Sequence, residues 1–261
     1  GGVAASMVDY SNTTTAYKLI LDLGAASNQA QIVLSADNSK LFTDTLVSMK
    51  NIRATSGSDT LIGSDADNSM YGLAGDDTFI ATNGNDTYDG GESVGGDWVI
   101  YNASTSIISN LAAGSTSKGI GNSSDGLISI EHMATGSGND TITASVQTNT
   151  IIANAGNDTI YSNDGVNIFY ADGINRVNDG LEDTIRYDLE DTGSGVTVNL
   201  TNESATNAYG KVDTLYNFEN VIGSANADII VGNALANSIL GGAGADTITG
   251  GAGSDTLLGA S

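Results

Sequence analysis

Residues 72–80 read Gly-Leu-Ala-Gly-Asp-Asp-Thr-Phe-Ile, a hexad ending in Asp followed by three residues with an apolar centre. Glycine tolerates positive φ, so the hexad can curl tightly and turn its carbonyl oxygens toward one point. The Asp adds a carboxylate there, and an oxygen-only donor set favours a hard cation such as Ca²⁺. Because side chains alternate along a strand, the apolar residue two places after the Asp points inward. These nine residues predict a calcium-holding turn followed by a core strand.

The nonad recurs in three stretches of the chain, for example as Gly-Gly-Ala-Gly-Ala-Asp-Thr-Ile-Thr at 241–249. Within each stretch, successive inward residues are nine apart. Ile52, Met133 and Val221 each lie nine residues before the first of them, which predicts a first coil formed by the preceding motif. The predicted inward residues are Leu61, Met70, Phe79 and Tyr88, then Ile142, Ile151, Ile160 and Phe169, and then Ile230, Ile239, Ile248 and Leu257.

A longer internal repeat surrounds the nonads, and it favours a solenoid over a globular fold. Related motifs begin at Asp44, Asp125 and Asp213, and each runs into a stretch of nonads. The residues between the nonads are expected to form wider coils on the same axis, or alternatively separate small β caps. Both ends of the sequence cut the pattern, which favours a piece of something longer. The predicted modules are 1–100 with nonads 54–100, 101–186 with nonads 135–170, and 187–261 with nonads 223–258, the last one truncated.

The nonads resemble the G-G-x-G-x-D-x-U-x repeat of the repeats-in-toxin (RTX) family, where U is a large apolar residue. The resemblance implies an all-β fold, a right-handed parallel β-roll or β-helix with two nonads per coil and Ca²⁺ in the turns. It also implies an extracellular or bacterial cell-surface location, reached by type I secretion.

Two nonads per coil place residues 18 apart on the same edge, one strand spacing from each other. Carboxylates about 5 Å apart repel by about 1 kcal/mol in water and a few times that near a protein surface. A dication between them reverses the sign of this interaction, which predicts several bound calcium ions. The predicted pairs are Asp59 with Asp77, Asp140 with Asp158, and Asp228 with Asp246, extended across insertions by Asp97 and Asp183.

The opposite edge is poorer in carboxylates. Asn68 faces Asp86, Asn237 faces Asp255, and Asn149 faces Asn167. For Asn149 with Asn167 alone, an amide ladder is the alternative to a metal site. An amide contributes an oxygen without charge, so these sites are expected to bind calcium poorly or not at all. Turn formation alone would explain a single Gly-Asn-Asp turn, but recurrence in fixed register favours calcium. The glycines predicted to contribute at the turns are Gly57, Gly75, Gly84, Gly138, Gly156, Gly244 and Gly253.

The amino-acid composition disfavours several classes of partner. The net charge is −23, with 25 Asp against 6 Glu, so the chain is expected to attract cations rather than nucleic acid or anionic membranes. There is no Cys or Pro, no apolar run approaches the ~20 residues of a membrane span, and no signal peptide is visible.

His132 takes the place of Asn51 and Asn220, which predicts a surface substitution. With one His and no Cys, Cys–His catalysis is excluded, and repeat register explains the carboxylate pairs without glycosidase chemistry.

These observations predict a non-enzymatic, calcium-binding extracellular scaffold: a segment of a surface-layer protein, an adhesin or a filament. Its expected partners are calcium and either further copies of itself or a cell-surface polymer, with no nucleic acid and no direct membrane insertion. The alternative is the export-and-folding tail of a type I-secreted enzyme or toxin. Rows of outward Thr are also compatible with ice binding, although Thr simply favours strands.

Overall fold

The computed structural model describes residues 6–12, 17–24, 29–34, 40–119, 123–175 and 181–259. In these ranges every regular element is a strand, mostly of three residues, and no helix there is suited to cross a membrane. The strands are β1 (Met7–Asp9), β2 (Tyr17–Asp22), β3 (Gln29–Leu34), β4 (Lys40–Thr45), β5 (Asn51–Arg53), β6 (Thr60–Ile62), β7 (Ser69–Ala74), β8 (Thr78–Ile80), β9 (Thr87–Glu92), β10 (Trp98–Ile100), β11 (Ile108–Asn110), β12 (Ser115–Ser117), β13 (Ser124–Ile128), β14 (His132–Ala134), β15 (Thr141–Thr143), β16 (Thr150–Ile152), β17 (Thr159–Tyr161), β18 (Ile168–Tyr170), β19 (Thr184–Arg186), β20 (Thr197–Asn199), β21 (Ser204–Thr206), β22 (Val212–Tyr216), β23 (Asn220–Ile222), β24 (Ile229–Val231), β25 (Ser238–Leu240), β26 (Thr247–Thr249) and β27 (Thr256–Leu258).

The chain divides into two compact units. The first unit comprises Gly1–Asn102 and Gly114–Met133, and the second comprises Ala103–Ala113 and Ala134–Ser261. The boundary between the units falls inside the second predicted module. The three modules describe a repeat in the sequence, and their status as domains stays a prediction.

In the first unit the strands form two sheets, in the orders β1-β5-β7-β9-β13-β12 and β4-β3-β2-β6-β8-β10-β14. Strands of consecutive nonads alternate between the sheets. Parallel neighbours are therefore 18 residues apart, as in the pairing of Thr60 with Thr78 and of Ser69 with Thr87. Trp98 pairs with Thr78, so the two extra residues before it are absorbed in the turn. Two nonads per coil are confirmed here.

The second unit repeats this arrangement, with the orders β11-β15-β17-β19-β23-β25-β27 and β16-β18-β22-β21-β20-β24-β26. Thr141 pairs with Thr159, which pairs with Thr184 across the longer insertion. Ile229 pairs in the same way with Thr247. Both units are thus all-β, and parallel coils of the β-roll type dominate them.

The core is formed by the middle residue of each short strand. Ten of the twelve predicted inward residues are at most 1% exposed, and Ile52, Met133 and Val221 are fully buried as the predicted first coils require. Burying such a side chain contributes roughly 1.5–3 kcal/mol. The exceptions are Ile248, half-buried, and Leu257, 45% exposed. They lie on β26 and β27, each the last strand of its described sheet with a neighbour on one side.

The segments between the nonads are neither wider coils nor separate caps, so both expectations are wrong for their described residues. Strands β2–β3–β4, β12–β13 and β20–β21–β22 are antiparallel and stay hydrogen-bonded within the same sheets. Tight reverse turns make this possible: Glu203 has a φ of 53° and its N–H donates to Leu200 O at 3.3 Å. The chain reverses inside the sheet plane instead of completing a larger turn.

The recurring Tyr and Asp of these segments meet in the first unit. Tyr10 donates its hydroxyl to Asp44 Oδ2 at 2.8 Å, and Tyr101 donates to Asp125 Oδ2 at 3.0 Å. These pairs close the segment that separates one stretch of nonads from the next.

Candidate metal centre

One edge of the first unit carries a column of carboxylates, Asp59, Asp77, Asp97 and Glu131, here called the acidic edge. Asp77 Oδ1 accepts the Asp59 N–H at 2.7 Å, and Asp97 Oδ1 accepts the Asp77 N–H at 2.7 Å. Glu131 Oε2 accepts the Asp97 N–H at 2.9 Å. Each carboxylate therefore bonds to the backbone of a neighbouring coil, and the sequence-predicted aspartates are brought together.

The second unit contains two further columns of this kind. Asp158 Oδ1 accepts the Asp140 N–H, and Asp183 Oδ1 accepts the Asp158 N–H, both at 2.7 Å. Glu219 Oε2 accepts the Asp183 N–H at 3.0 Å. Further along the chain, Asp246 Oδ1 accepts the Asp228 N–H at 3.0 Å.

Glu131 and Glu219 were missed by sequence reasoning. Both lie six residues after the Asp that begins the motif preceding the nonads, a position held by Lys50 in the first copy. Their carboxylates take the place that Asp holds in a nonad. The signal was present in the aligned motifs, but only pairing to Asp97 and Asp183 shows that these residues extend a column.

In these columns, Oδ1 of each Asp accepts a backbone N–H of a neighbouring coil. The second carboxylate oxygen, Oδ2, is here called the outer oxygen, and its contacts show whether the column suits a metal. Four buried Oδ2 atoms accept no hydrogen bond from any described residue. A buried acceptor left without a partner costs about 1–3 kcal/mol, and more when it is charged. Oxygen atoms that lack donors fit a hard cation such as Ca²⁺. The residues that carry these atoms are Asp77, Asp97, Asp140 and Asp246.

The residue four places before the Asp helps to decide whether its carboxylate is satisfied by protein. The Thr55 hydroxyl donates to Asp59 at 2.9 Å from Oδ2, and the Ser224 hydroxyl donates to Asp228 Oδ1 at 2.7 Å. Before Asp77, Asp140 and Asp246 this position holds Leu or Gly, which have no side-chain donor. The Oδ2 atoms of Asp59 and Asp228 thus accept hydrogen bonds within their own turns, although the nonad pattern does not distinguish these two aspartates from the others.

The turn glycines make room for these carboxylates. A Cβ on Gly72 would overlap Asp77 Oδ2, and one on Gly241 would overlap Asp246 Oδ2. The expected positive φ is found at five of the seven predicted glycines and is absent at Gly57 and Gly138. Gly138 is needed for close approach instead, because its Cβ would lie 2.5 Å from Ser106 N. The five with positive φ are Gly75, Gly84, Gly156, Gly244 and Gly253.

The electrostatics of the acidic edge disfavour ionised carboxylates without a cation. Burial, reinforced by the charges of Asp59, Asp97 and Asp76, raises the pKa of Asp77 to about 8. Burial likewise raises the pKa values of Asp59 and Asp97 to about 6. At neutral pH this environment favours a proton or a metal ion on Asp77, and it makes the ionised forms of Asp59 and Asp97 less favourable than they are in water.

The opposite edge of the first unit, formed by Asn68, Asp86, Asp125 and Lys118, is here called the lysine edge. Asp86 Oδ1 accepts the Asn68 N–H at 2.9 Å, and Asp125 Oδ1 accepts the Asp86 N–H at 2.8 Å. The buried Lys118 ammonium lies 2.7 Å from Asp125 Oδ1 and 3.5 Å from Asp86 Oδ2. The expected mixed site of Asn68 and Asp86 thus has a cation from the chain itself, which the sequence did not reveal.

The opposite edges of the second unit follow the same hydrogen-bonding pattern with fewer charges. Asn167 Oδ1 accepts the Asn149 N–H at 3.0 Å, and Asp255 Oδ1 accepts the Asn237 N–H at 3.0 Å. The amide oxygen of Asn167 thus accepts the same backbone hydrogen bond that a carboxylate oxygen accepts elsewhere, without creating a buried charge.

His132 is buried, so the expectation of a surface substitution is wrong. It is 7% exposed, its Nε2 lies 2.7 Å from Gly95 O, and its ring centroid is 5.0 Å from that of Trp98. The histidine packs over the glycines of the extended turn, where a Cβ on Gly96 would overlap its ring.

Three segments, 53–92, 144–173 and 221–260, match the family model HemolysinCabind, described as "RTX calcium-binding nonapeptide repeat (4 copies)". The chain carries calcium-binding repeats of the RTX family. The RTX segments contain Asp77, Asp158 and Asp246 with their turn glycines, and together they span less than half of the chain. No curated protein matches the chain.

Among the described residues, no group of three or more His, Asp or Glu side chains converges on a single metal position. A calcium ion at an RTX turn would therefore be held by one or two stacked carboxylates together with backbone carbonyls. That donor set suits calcium, which accepts six to eight oxygen ligands in flexible geometry.

Proposed function

We propose that the chain is a calcium-stiffened extracellular scaffold without catalytic activity, as part of a surface-layer protein, an adhesin or a filament. The observation that carries the proposal is the set of buried, unpartnered outer oxygens on Asp77, Asp97, Asp140 and Asp246. Calcium at these positions links successive coils, so binding energy becomes folding energy. A solenoid stiffened along its edges has a mechanical role.

Location and partners form part of the same proposal. RTX repeats are typical of proteins exported by type I secretion, and extracellular calcium would reach such a chain on release. The net charge of −23 disfavours nucleic acid and anionic membranes and favours cations. Self-association is proposed because unpaired strand edges readily pair with another copy. Light scattering of the parent chain should rise with calcium and fall in chelator.

Circular dichroism in excess chelator and then in millimolar calcium tests the proposed role of the metal. We expect a largely unfolded spectrum in chelator, because the carboxylates repel and the glycine-rich turns keep a large chain entropy. Calcium should restore the β spectrum, whereas magnesium should do so poorly because it demands smaller, octahedral sites. A full β spectrum in chelator at neutral pH would contradict the proposal.

The second candidate is an RTX tail that assists export and folding of a secreted enzyme or toxin, and the match to HemolysinCabind favours it. Both candidates require calcium-dependent folding, so that experiment does not separate them. The parent protein does: calcium-driven assembly into a lattice or filament supports the scaffold. A strictly monomeric parent with hydrolytic or isomerase activity on proteins, lipids or polysaccharides supports the tail.

A further inference from the structure

The lysine edge of the first unit has a structural counterpart in the second unit. Thr116 pairs with Asp125 on β12–β13, and Ala205 pairs with Asp213 on β21–β22. Two residues after Thr116 and Ala205, directly beyond the ends of β12 and β21, Lys118 corresponds to Asn207. The two sites can therefore be compared residue by residue.

The two side chains reach equivalent carbonyl groups. Lys118 Nζ donates to Thr82 O at 2.8 Å, and Asn207 Nδ2 donates to Asn163 O at 3.2 Å. Thr82 and Asn163 each lie four residues before the edge residue of their nonad. Asn207 thus occupies the place of Lys118 without supplying a positive charge.

The second unit adds a negative charge beside Asn207. Glu190 is 2% exposed, and its Oε2 accepts the Ala208 N–H at 2.7 Å, next to Asn207. Glu190 Oε1 has no hydrogen-bond partner among the described residues. The hydroxyl of Tyr187, a fully buried residue, faces Asp213 and lies near Glu190, as its counterpart Tyr101 donates to Asp125.

Asp213 supplies the second carboxylate of this cluster. It is fully buried, its Oδ1 accepts the Asn167 N–H at 3.0 Å, and its Oδ2 accepts the Ser162 hydroxyl at 3.0 Å. Burial raises the pKa of Asp213 to about 6, and burial together with the charge of Asp213 raises that of Glu190 to about 7. No described Lys or Arg forms an ion pair with either group.

We propose that Glu190, Asp213 and the Tyr187 hydroxyl form a calcium site in the second unit, where the first unit places the Lys118 ammonium. Two buried carboxylates without a cation are costly, and removing that cost requires either protons or a positive ion. The donors are all oxygen atoms and carry two negative charges, which fits a hard dication. The three ligands lie outside the nonads, so substitutions at this site can be tested without changing the carboxylates of the RTX turns.

Long-wavelength anomalous diffraction from crystals of the whole chain grown in calcium tests the proposal, because each calcium position is seen separately. We expect an anomalous peak within about 2.6 Å of Glu190 Oε1. Glu190→Gln should abolish this peak and leave the peaks at the RTX turns. The matched control is Glu182→Gln, an exposed glutamate of the same unit, which should leave every peak in place.

Asn207→Lys provides a second variant that does not remove a carboxylate. Its ammonium should reproduce the Lys118 arrangement, expel the calcium at Glu190 and lower the calcium bound per chain in equilibrium dialysis by one. Peaks at the RTX turns with none at Glu190 in the wild-type chain would overturn this proposal alone. Absence of the RTX peaks with a peak at Glu190 would overturn the proposed role of the repeats instead.

Discussion

The acidic edge and the lysine edge of the first unit are built from the same kind of nonad but balance their charge differently. The acidic edge leaves outer oxygens of Asp77 and Asp97 without partners, whereas the lysine edge holds the Lys118 ammonium between Asp86 and Asp125. The nonad thus creates a position for a cation, and the segments outside the nonads decide whether the chain fills it. One edge depends on solution conditions, and the other carries its own counter-ion.

The largest effect is expected from lowering the pH in the absence of calcium, because protons can replace calcium on the carboxylates of the acidic edge. The folded-state pKa of Asp77, about 8, lies above its ordinary value of 3.8, so the folded chain binds the proton more tightly. This contribution to stability is fully present below about pH 4 and is lost as the pH rises through 8. In chelator, the β signal in circular dichroism should therefore be much larger at pH 5 than at pH 8.

The same comparison in saturating calcium is the control, and there the β signal should be strong at pH 8. The carboxylate of Asp76 has a lowered pKa because it accepts the N–H groups of Gly95 and Val94, so it stays ionised at pH 5. A chelated chain that is equally folded at both pH values would show that the acidic edge is balanced without protons or metal.

The next largest effect is expected from Lys118→Met, which removes the counter-ion of the lysine edge. It leaves Asp86 and Asp125 as buried, uncompensated carboxylates, and breaking such a pair costs about 3–5 kcal/mol. Urea unfolding in saturating calcium should show this loss. Adding Asp86→Asn to Lys118→Met should recover part of it, because one of the two charges is then gone. Lys118→Met with unchanged stability would mean that the ammonium is not needed.

A smaller effect is expected from Asp77→Ala, which removes a carboxylate shared by the positions toward Asp59 and toward Asp97. The calcium midpoint of folding should rise by about tenfold or more, the size of loss typical for disturbed metal sites. Asp255→Ala is the matched control, since Asp255 faces an amide, Asn237. Equal midpoints for the two variants would contradict the distinction between the edges.

The smallest effect is expected from Glu131→Gln. Gln keeps an oxygen that can accept the Asp97 N–H but removes the charge at one end of the acidic edge. The calcium midpoint should rise only a few-fold, since Asp77 and Asp97 remain. Glu203→Gln, a half-buried glutamate outside the columns, is the control. An effect as large as that of Asp77→Ala would mean that Glu131 belongs to the main site.

The sequence predicted the spacing of the coils well, because a period of nine residues fixes both the core positions and the pairs 18 apart. It could not predict Lys118, which lies 32 residues beyond Asp86 in a segment outside the nonads. The sequence shows that Thr55 and Leu73 differ at the position four places before Asp59 and Asp77. Whether the carboxylate then finds a hydrogen-bond donor in its own turn depends on its orientation, which the sequence does not show. The partners of individual carboxylates follow from three-dimensional contacts rather than from the nine-residue repeat.

The alternation of consecutive nonads between two sheets limits how such an array can grow or shrink during evolution. Duplication or loss of one nonad would move every later nonad to the other sheet, and carboxylates placed on one edge would then lie on the opposite one. Duplication of two nonads preserves both columns, since strands 18 residues apart, such as β6 and β8, are direct neighbours. The viable unit of inheritance is therefore the full coil, and recombination between related genes should preserve coils in whole numbers.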